Sequence, residues 1–527
     1  MELEIYGGIN EIGGNKIFVN IGDKKYLFDF GLSFNDSNQY FSEFLNPRKC
    51  NGIIDYLYLN LIPPLNQIYR NDLINPFKNI LNQPNYKINI SDTNAIDAFF
   101  LTHAHMDHYK FVGFLRKDTP IYLNWISHDL IQYLSDTSLD PLISEILNFY
   151  ESFKIIPKKR QKKDAEIEYK RATKRDYKDT EIKRRINIME NEKTYSFATS
   201  KGDVNVTQFI VDHSIPGACS YIIEHDGRSV IYTGDFRRHG FHKEWVDKFI
   251  NMAHKSNPIA IITEGTRIPS LKDFENGTYR RENQTEKDVE IRSRDLMRMH
   301  PGLILINFPM RNLDRILLYY RLAKKLNRIF VITPKIYLLI DKYRTRLDKM
   351  GENTIKDFYD AYDLPEYNDE NFRIYLKRKG WGEYESADYR IHEKKIFEED
   401  NYLTYKDIRK EPEKYLLYLD FFMLTELIDL NLESDSIMYI KSTTDPFNKE
   451  MKIKEEKLTA WLEHFGILKT ETIHSSGHCD VDGLIDALQK INAENIIPIH
   501  TEYPKTFEQL GLKGNIIIPK IGKKYQF

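Results

Sequence analysis

Six consecutive positions, His103-Ala104-His105-Met106-Asp107-His108, hold three imidazoles and one carboxylate. Neutral imidazole nitrogens and carboxylate oxygens suit zinc, and they also suit manganese or iron. The run follows Ile96 to Thr102, an apolar, aromatic-rich segment that reads as a strand. His103 and His105 then alternate onto one side of an extended turn. Asp107 and His108, at the start of a helix, present their ligand atoms to a neighbouring point. Core filling and random surface composition account poorly for such a density of ligand types.

Four ligands in so short a stretch could hold one structural ion. A hydrolytic site needs an open coordination position and further ligands from elsewhere in the fold. His213 in FIVDHSIPG, Asp235 in VIYTGDFRR and His500 in IIPIHTEYP each follow an expected strand. Singly, each could equally be a turn residue or a satisfied polar group; their shared placement at strand ends supports the metal.

The elements needed to converge these side chains are strands with loops at their ends. Strands are expected at Lys16 to Gly22, Lys25 to Gly31, Val204 to Val211, Ser220 to Glu224, Ser229 to Tyr232 and Ile259 to Thr263. Beyond Arg267 the composition changes. There we expect a helix at Leu313 to Leu326 and strands at Leu303 to Asn307, Val331 to Thr333, Leu416 to Phe422 and Ser436 to Lys441. Helices at Lys454 to His464 and Val481 to Ile491 precede a strand at Ile496 to Ile499. The charged stretch Tyr343 to Lys410 shows no clear period. Strands mixed with helices throughout imply a layered α/β protein.

A chain of 527 residues exceeds one ordinary core and implies two or three domains. With 41% apolar residues it is globular rather than disordered. The net charge of −2 gives no chain-wide attraction to a polyanion, so any nucleic-acid site must be local. The one strongly basic run, Lys154 to Arg185, carries Tyr169 and Tyr177. It suits either a solvated helical hairpin or flexible excursion, or an RNA path with stacking and phosphate contacts. Cys50, Cys219 and Cys479 are scattered, which fits a reducing cytoplasm. No basic leader or long apolar segment is evident, so a cytoplasmic protein without membrane contact is expected.

The HAHMDH cluster with His213, Asp235 and His500 resembles the metallo-β-lactamase superfamily. That resemblance implies an αββα sandwich with two divalent ions, Zn2+ or alternatively Mn2+. It assigns His103, His105 and His213 to one ion, Asp107, His108 and His500 to the other, and Asp235 to a bridge. Asp29 in LFDFG resembles the early aspartate that supports the site. Glu264 in ITEGTR, His478 in HSSGHCD and His500 resemble the three motifs of the β-CASP group. They imply an α/β insertion at residues 269–450, between lactamase-type parts at 1–268 and 451–527.

YGGINEIGGN, VDHSIPGA, NFPMRNLDRI and PIHTEYP further resemble RNase J ribonucleases, without the separate C-terminal domain that many of them carry. The resemblance implies hydrolysis of single-stranded RNA, with 5′-to-3′ exonuclease and also endonuclease activity, and leaves room for a homodimer. Asp107, Glu264 and His478 are then the catalytic set, His478 as general acid oriented by Glu264. Ser475, Ser476 and Gly477, with His478, are expected to hold a substrate phosphate. A DNA nuclease is the nearest rival, disfavoured because a histidine such as His500 marks RNA-processing members of the group. A non-catalytic RNA-binding scaffold is the other, disfavoured because no expected ligand position is replaced.

Overall fold

Alternation along the N-terminal strands sorts their side chains onto two faces, and both faces are buried. Ile17, Val19, Tyr26, Phe28, Ala98 and Phe100 point to one side, packing against Val204, Val206, Tyr221, Ile223, Tyr232 and Ile262 of a second sheet. Phe18, Leu27, Phe30, Phe99 and Leu101 point to the other, into a core that includes Leu57, Leu73, Leu130 and Ile131 from helices. The second sheet repeats the arrangement: Phe209, Ile222, Ile231, Ile261 and Ile496 pack on Val246, Phe249 and Ile250 of the helix Lys243–Lys255 and on Leu484 and Leu488 of the helix Val481–Ile491. Each fully buried side chain of this size contributes about 1.5–3 kcal/mol. The expected αββα sandwich follows from this two-sided burial.

The computed structural model describes all residues except 43, 78–80, 82–94, 139–144, 152, 157–167, 172–180, 280–283, 351–362, 367, 399–400 and 447–448. Among the described residues, the first sheet runs in the order Ile186–Met189, Ile121–Asn124, Ala98–Phe100, Lys24–Phe30, Lys16–Ile21, Glu2–Gly7, Lys524–Gln526. The second runs Thr194–Thr199, Gly202–Ile210, Cys219–His225, Arg228–Tyr232, Pro258–Thr263, Asn495–Pro498, Asn515–Ile516. Residues from both chain ends thus complete the two sheets.

A third sheet lies within the middle of the chain, in the order Tyr402–Leu403, Phe372–Tyr375, Ile329–Ile332, Tyr415–Tyr418, Leu303–Asn307, Ile437–Lys441, Thr470–Thr472. Every pairing in it is parallel. Parallel strands need crossovers, and helices such as Leu313–Lys325 and Pro334–Lys349 supply them. The sheet does not end at residue 450. The helix Lys449–His464 runs through the expected boundary, and Thr470–Thr472 pairs with Ile437–Lys441 as a further strand.

The basic run also differs from expectation. Its described parts are extended rather than helical: Phe153–Ile156 pairs antiparallel with Glu168–Arg171, and Asn148–Phe149 with Ile182–Lys183. Lys158, Lys159, Arg160, Lys162, Lys163 and Tyr177 lie outside the described residues. Arg184 is buried and donates to the carbonyls of Gly113, Leu115 and Arg116. That end of the run is therefore structural. All three cysteines are free. Among the described residues, no helix is long and apolar enough to cross a membrane.

Candidate metal centre

The strands carrying Asp29, His103, His213, Asp235, Glu264 and His500 deliver these residues to one edge of the sandwich, at or just beyond the strands' C-terminal ends. His105 is the N-cap of a single helical turn, Met106–Tyr109, which carries Asp107 and His108. His478 lies in the turn before the helix Val481–Ile491, whose N-cap Asp480 accepts from Gly483 N at 2.8 Å. Asp29 and His500 hold φ of 54° and 51°. Left-handed backbone of this kind costs about 1–3 kcal/mol and persists where surrounding structure imposes it.

Two donor groups result. His103, His105, His213 and Asp235 form one, Asp107, His108 and His500 the other, with ligand atoms within 4.8 Å of one another in each group. Asp235 Oδ2 lies 3.7 Å from His103 Nε2, 3.9 Å from His213 Nε2, 3.2 Å from His108 Nε2 and 3.5 Å from His500 Nε2. It stands between the groups. His500 Nε2 is 3.3 Å from Asp107 Oδ2.

The ring hydrogen bonds decide what these nitrogens can do. His108 Nδ1 donates to Asp29 Oδ2 at 2.8 Å, and His213 Nδ1 to the Gly477 carbonyl at 2.5 Å. Nδ1 of His103 faces Thr102 Oγ1 at 3.0 Å, and Nδ1 of His500 faces Thr266 Oγ1 at 2.8 Å. With Nδ1 so occupied, the four Nε2 atoms turn inward, where a metal would meet them. His103 Nε2 and His213 Nε2 lie 3.0 and 3.1 Å from His105 Nδ1. These three ring nitrogens converge closely enough for one cation to be held by all of them. Buried His108 Nε2 and Asp235 Oδ1 have no hydrogen-bond partner, although such atoms normally do. The donor set therefore fits divalent metal.

The electrostatics agree. Burial, reinforced by the neighbouring imidazoles, pushes His103 and His213 well below the usual histidine range, and burial brings His105 to about 3. These rings are neutral, the form that binds metal. His108 is pushed the other way: burial opposes its charge, but Asp235, Asp29 and Asp107 outweigh it. The second group thus has an excess of carboxylate charge that a cation would neutralise.

Beside the donor groups sits an acid–base pair. His478 Nδ1 donates to Glu264 Oε2 at 2.9 Å, while Glu264 Oε1 accepts from Phe236 N at 2.9 Å. Burial opposes protonation of His478, but Glu264 outweighs it and raises the imidazole to about 9. Asp235, Glu264, His478 and His500 also have ligand atoms within 4.8 Å of one another. Because both Glu264 oxygens are already engaged, we treat Glu264 as the partner of His478 rather than as a ligand.

In the neighbouring loop, Ser476 Oγ accepts from His478 N at 3.2 Å, and Ser475 Oγ is buried without a partner. Two threonines that residue type and spacing do not single out also belong to the site. Thr102 touches Asp29, His103 and His108, and Thr266 touches His478 and His500. Adjacency to His103 and to the TEG motif is the signal the sequence offers for them. It names a neighbourhood without naming a contact.

Gly31 shows how tightly the metal turn is seated. A Cβ there would lie 1.6 Å from Asp107 O and 2.4 Å from His108 N. Gly31→Ala should push this turn away, lowering the melting temperature and weakening divalent-metal binding by about 10–100-fold, as loss of a ligand's support does elsewhere. Calorimetry with chelator competition checks both. Parent-like affinity would show that the turn is anchored by other contacts.

Residues 467–519 match the family described as a Zn-dependent metallo-hydrolase RNA specificity domain, a stretch that contains Ser475, Ser476, Gly477, His478 and His500. The whole chain is similar in structure to a protein of unknown function from Enterococcus faecalis V583. The TM-score is 0.66, the sequence identity 19%, and 99% of each chain is covered. No curated protein matches the sequence. The fold is metallo-β-lactamase-like. The RNA-specificity match and the His/Asp donor groups together support a metal-dependent hydrolase of that broad kind.

Proposed function

We propose that this protein is a metal-dependent ribonuclease of the β-CASP type, with RNase J-like 5′-to-3′ exonuclease activity. The observation that carries the reading is the Glu264–His478 pair at 2.9 Å beside two donor groups, with Asp235 of the first group 3.2 and 3.5 Å from His108 and His500 of the second. The RNA-specificity match over the segment containing His478 and His500 supports RNA as the substrate.

In this reading His103, His105 and His213 would hold one ion and Asp107, His108 and His500 the other, with Asp235 within reach of both groups. The ions are Zn2+, with Mn2+ as the alternative that the same donors accept. Bound there, they would supply Lewis-acid charge at the scissile phosphate and acidify water. Asp29 holds the His108 ring with Nε2 directed inward. His478, fixed through Nδ1, delivers a proton from Nε2 to the departing 3′ oxygen, and Glu264 keeps the ring oriented. Ser475, Ser476 and Gly477 line the approach for a substrate phosphate. The lactamase-type parts are residues 1–268 and 473–527, and the β-CASP unit spans 269–472, ending with the last strand of the third sheet.

The test is product analysis on one RNA sequence bearing a 5′-monophosphate, 5′-triphosphate or 5′-hydroxyl, alongside the same sequence as DNA, with metal content measured in the same preparation. Metal-dependent release of mononucleotides from the 5′-monophosphate RNA is expected. Cleavage of the DNA alone would replace the reading with a DNA nuclease. RNA binding without cleavage by the metal-loaded protein would make it a scaffold.

A further inference from the structure

Arg237 follows Asp235 by two residues and is fully buried. Its guanidinium is shared among segments far apart in sequence. Nε donates to Asp212 Oδ1 at 2.6 Å, Nη1 to Glu286 Oε1 at 2.7 Å and Nη2 to Asp314 Oδ2 at 3.3 Å. Nη1 also reaches the Ser476 carbonyl at 3.3 Å. The Arg237 main-chain N–H donates to the Asp212 carbonyl at 2.8 Å.

The charges around it nearly balance. Arg315 donates twice to Glu286, at 2.8 Å each, and binds Ser442 beyond the end of the strand Ile437–Lys441. His242 Nε2 faces Asp314 Oδ1 at 3.2 Å, and its main-chain N–H donates to Asp212 Oδ2 at 2.6 Å. Burial opposes a charge on Glu286, but the two guanidiniums outweigh it and hold the carboxyl at about 2. Removing one member of a buried charged network of this kind is costly.

The partners divide into two sets. Asp212 immediately precedes His213, and Ser476 is two residues before His478. Glu286 and Asp314 lie in the first turns of the helices Glu286–Met299 and Leu313–Lys325, beside the third sheet. One side chain thus joins the loops carrying Asp235, His213 and His478 to the unit inserted between the lactamase-type parts.

We propose that Arg237 is a positioning residue, locking the third-sheet unit onto the metal-ligand loops and thereby setting the geometry of Asp235 and His213. The inference rests on the assignment of those two residues as metal ligands. It predicts that a substitution on the third-sheet side alters the metal site although it touches no ligand.

The test uses the full chain, with Zn2+ affinity measured by competition with a chromophoric chelator and the visible absorption of the Co2+-loaded protein as a geometric readout. Arg237→Lys keeps the charge but not the fork, and should weaken Zn2+ binding about 10–100-fold and shift the Co2+ band. Asp314→Asn should change both in the same direction by a smaller factor, and it decides the matter if Arg237→Lys does not fold. Arg184→Lys alters another buried arginine, whose guanidinium donates to main-chain carbonyls and lies over the Phe149 ring, away from the donor groups. It should lower the melting temperature while leaving Zn2+ affinity and the Co2+ band unchanged.

Zn2+ binding by the parent, together with unchanged affinity and Co2+ band in both Arg237→Lys and Asp314→Asn, would overturn this inference alone. A parent that binds no Zn2+ would overturn the metal assignment and this inference with it.

Discussion

Asp235→Ala is expected to strip both ions from the protein and abolish turnover, whereas His105→Ala should empty chiefly one position. Asp235 Oδ2 lies within 3.9 Å of nitrogens on His103, His108, His213 and His500, so it serves both donor groups. Its removal leaves each group without the carboxylate that joins them and takes away a buried negative charge. His105 belongs to the first group only, where its Nδ1 faces His103 and His213. Loss of an outer partner costs about 10–100-fold in metal affinity, and loss of a ligand should exceed that. Metal analysis after gel filtration, paired with single-turnover cleavage of RNA, measures both effects. Equal metal stoichiometry in the parent and both variants would remove these residues from coordination. Asp235→Asn separates charge from shape: it should retain fold and volume while still losing metal.

The residues proposed as ligands are legible in the sequence because metal chemistry restricts residue type more severely than packing does. Three histidines and an aspartate crowded into positions 103 to 108 suit little besides a metal, and the strands before His213, Asp235 and His500 announce themselves by apolar runs. The strand expected at Lys25 to Gly31 falls within a residue of the observed Lys24–Phe30 for the same reason. Contacts between distant segments leave no such trace. Nothing in TGDFRRHG singles out Arg237, and only the fold brings Glu286 and Asp314 to it.

The middle of the chain is harder to divide. Thr470–Thr472 is a polar, exposed edge strand with no hydrophobic alternation, so nothing in its composition shows that it extends the third sheet. The charged run after Lys154 misleads in the opposite way. Charge reveals exposure but not backbone conformation, and the described parts of that run pair as strands. His500 shows a further limit: a histidine at φ 51° is imposed by the loop around it, with its N–H donating to the Gly8 carbonyl at 2.7 Å.

His478→Ala should behave unlike the ligand variants, losing the chemical step while keeping its metal. The ring is engaged through Nδ1 by Glu264, and Glu264 is itself fixed by the Phe236 main-chain N–H. A histidine held in this way has Nε2 available for proton transfer to a leaving oxygen. Positioned acids and bases contribute about 10²–10⁴-fold, and a single-turnover rate lowered by that factor is the expected result. The donor groups His103, His105, His213, Asp235 and Asp107, His108, His500 do not include the ring, so both ions should remain at parental stoichiometry. Glu264→Gln is a graded companion: the amide keeps a hydrogen bond but removes the charge opposite the imidazole, so the rate should fall by less than in His478→Ala. A substrate with a better leaving group, such as a 3′-bridging phosphorothiolate, needs little proton donation and should restore much of the lost rate in His478→Ala. Normal cleavage of ordinary RNA by that variant would exclude the general-acid role. Loss of metal together with rate would instead place His478 among the ligands, in the group it can form with Asp235, Glu264 and His500.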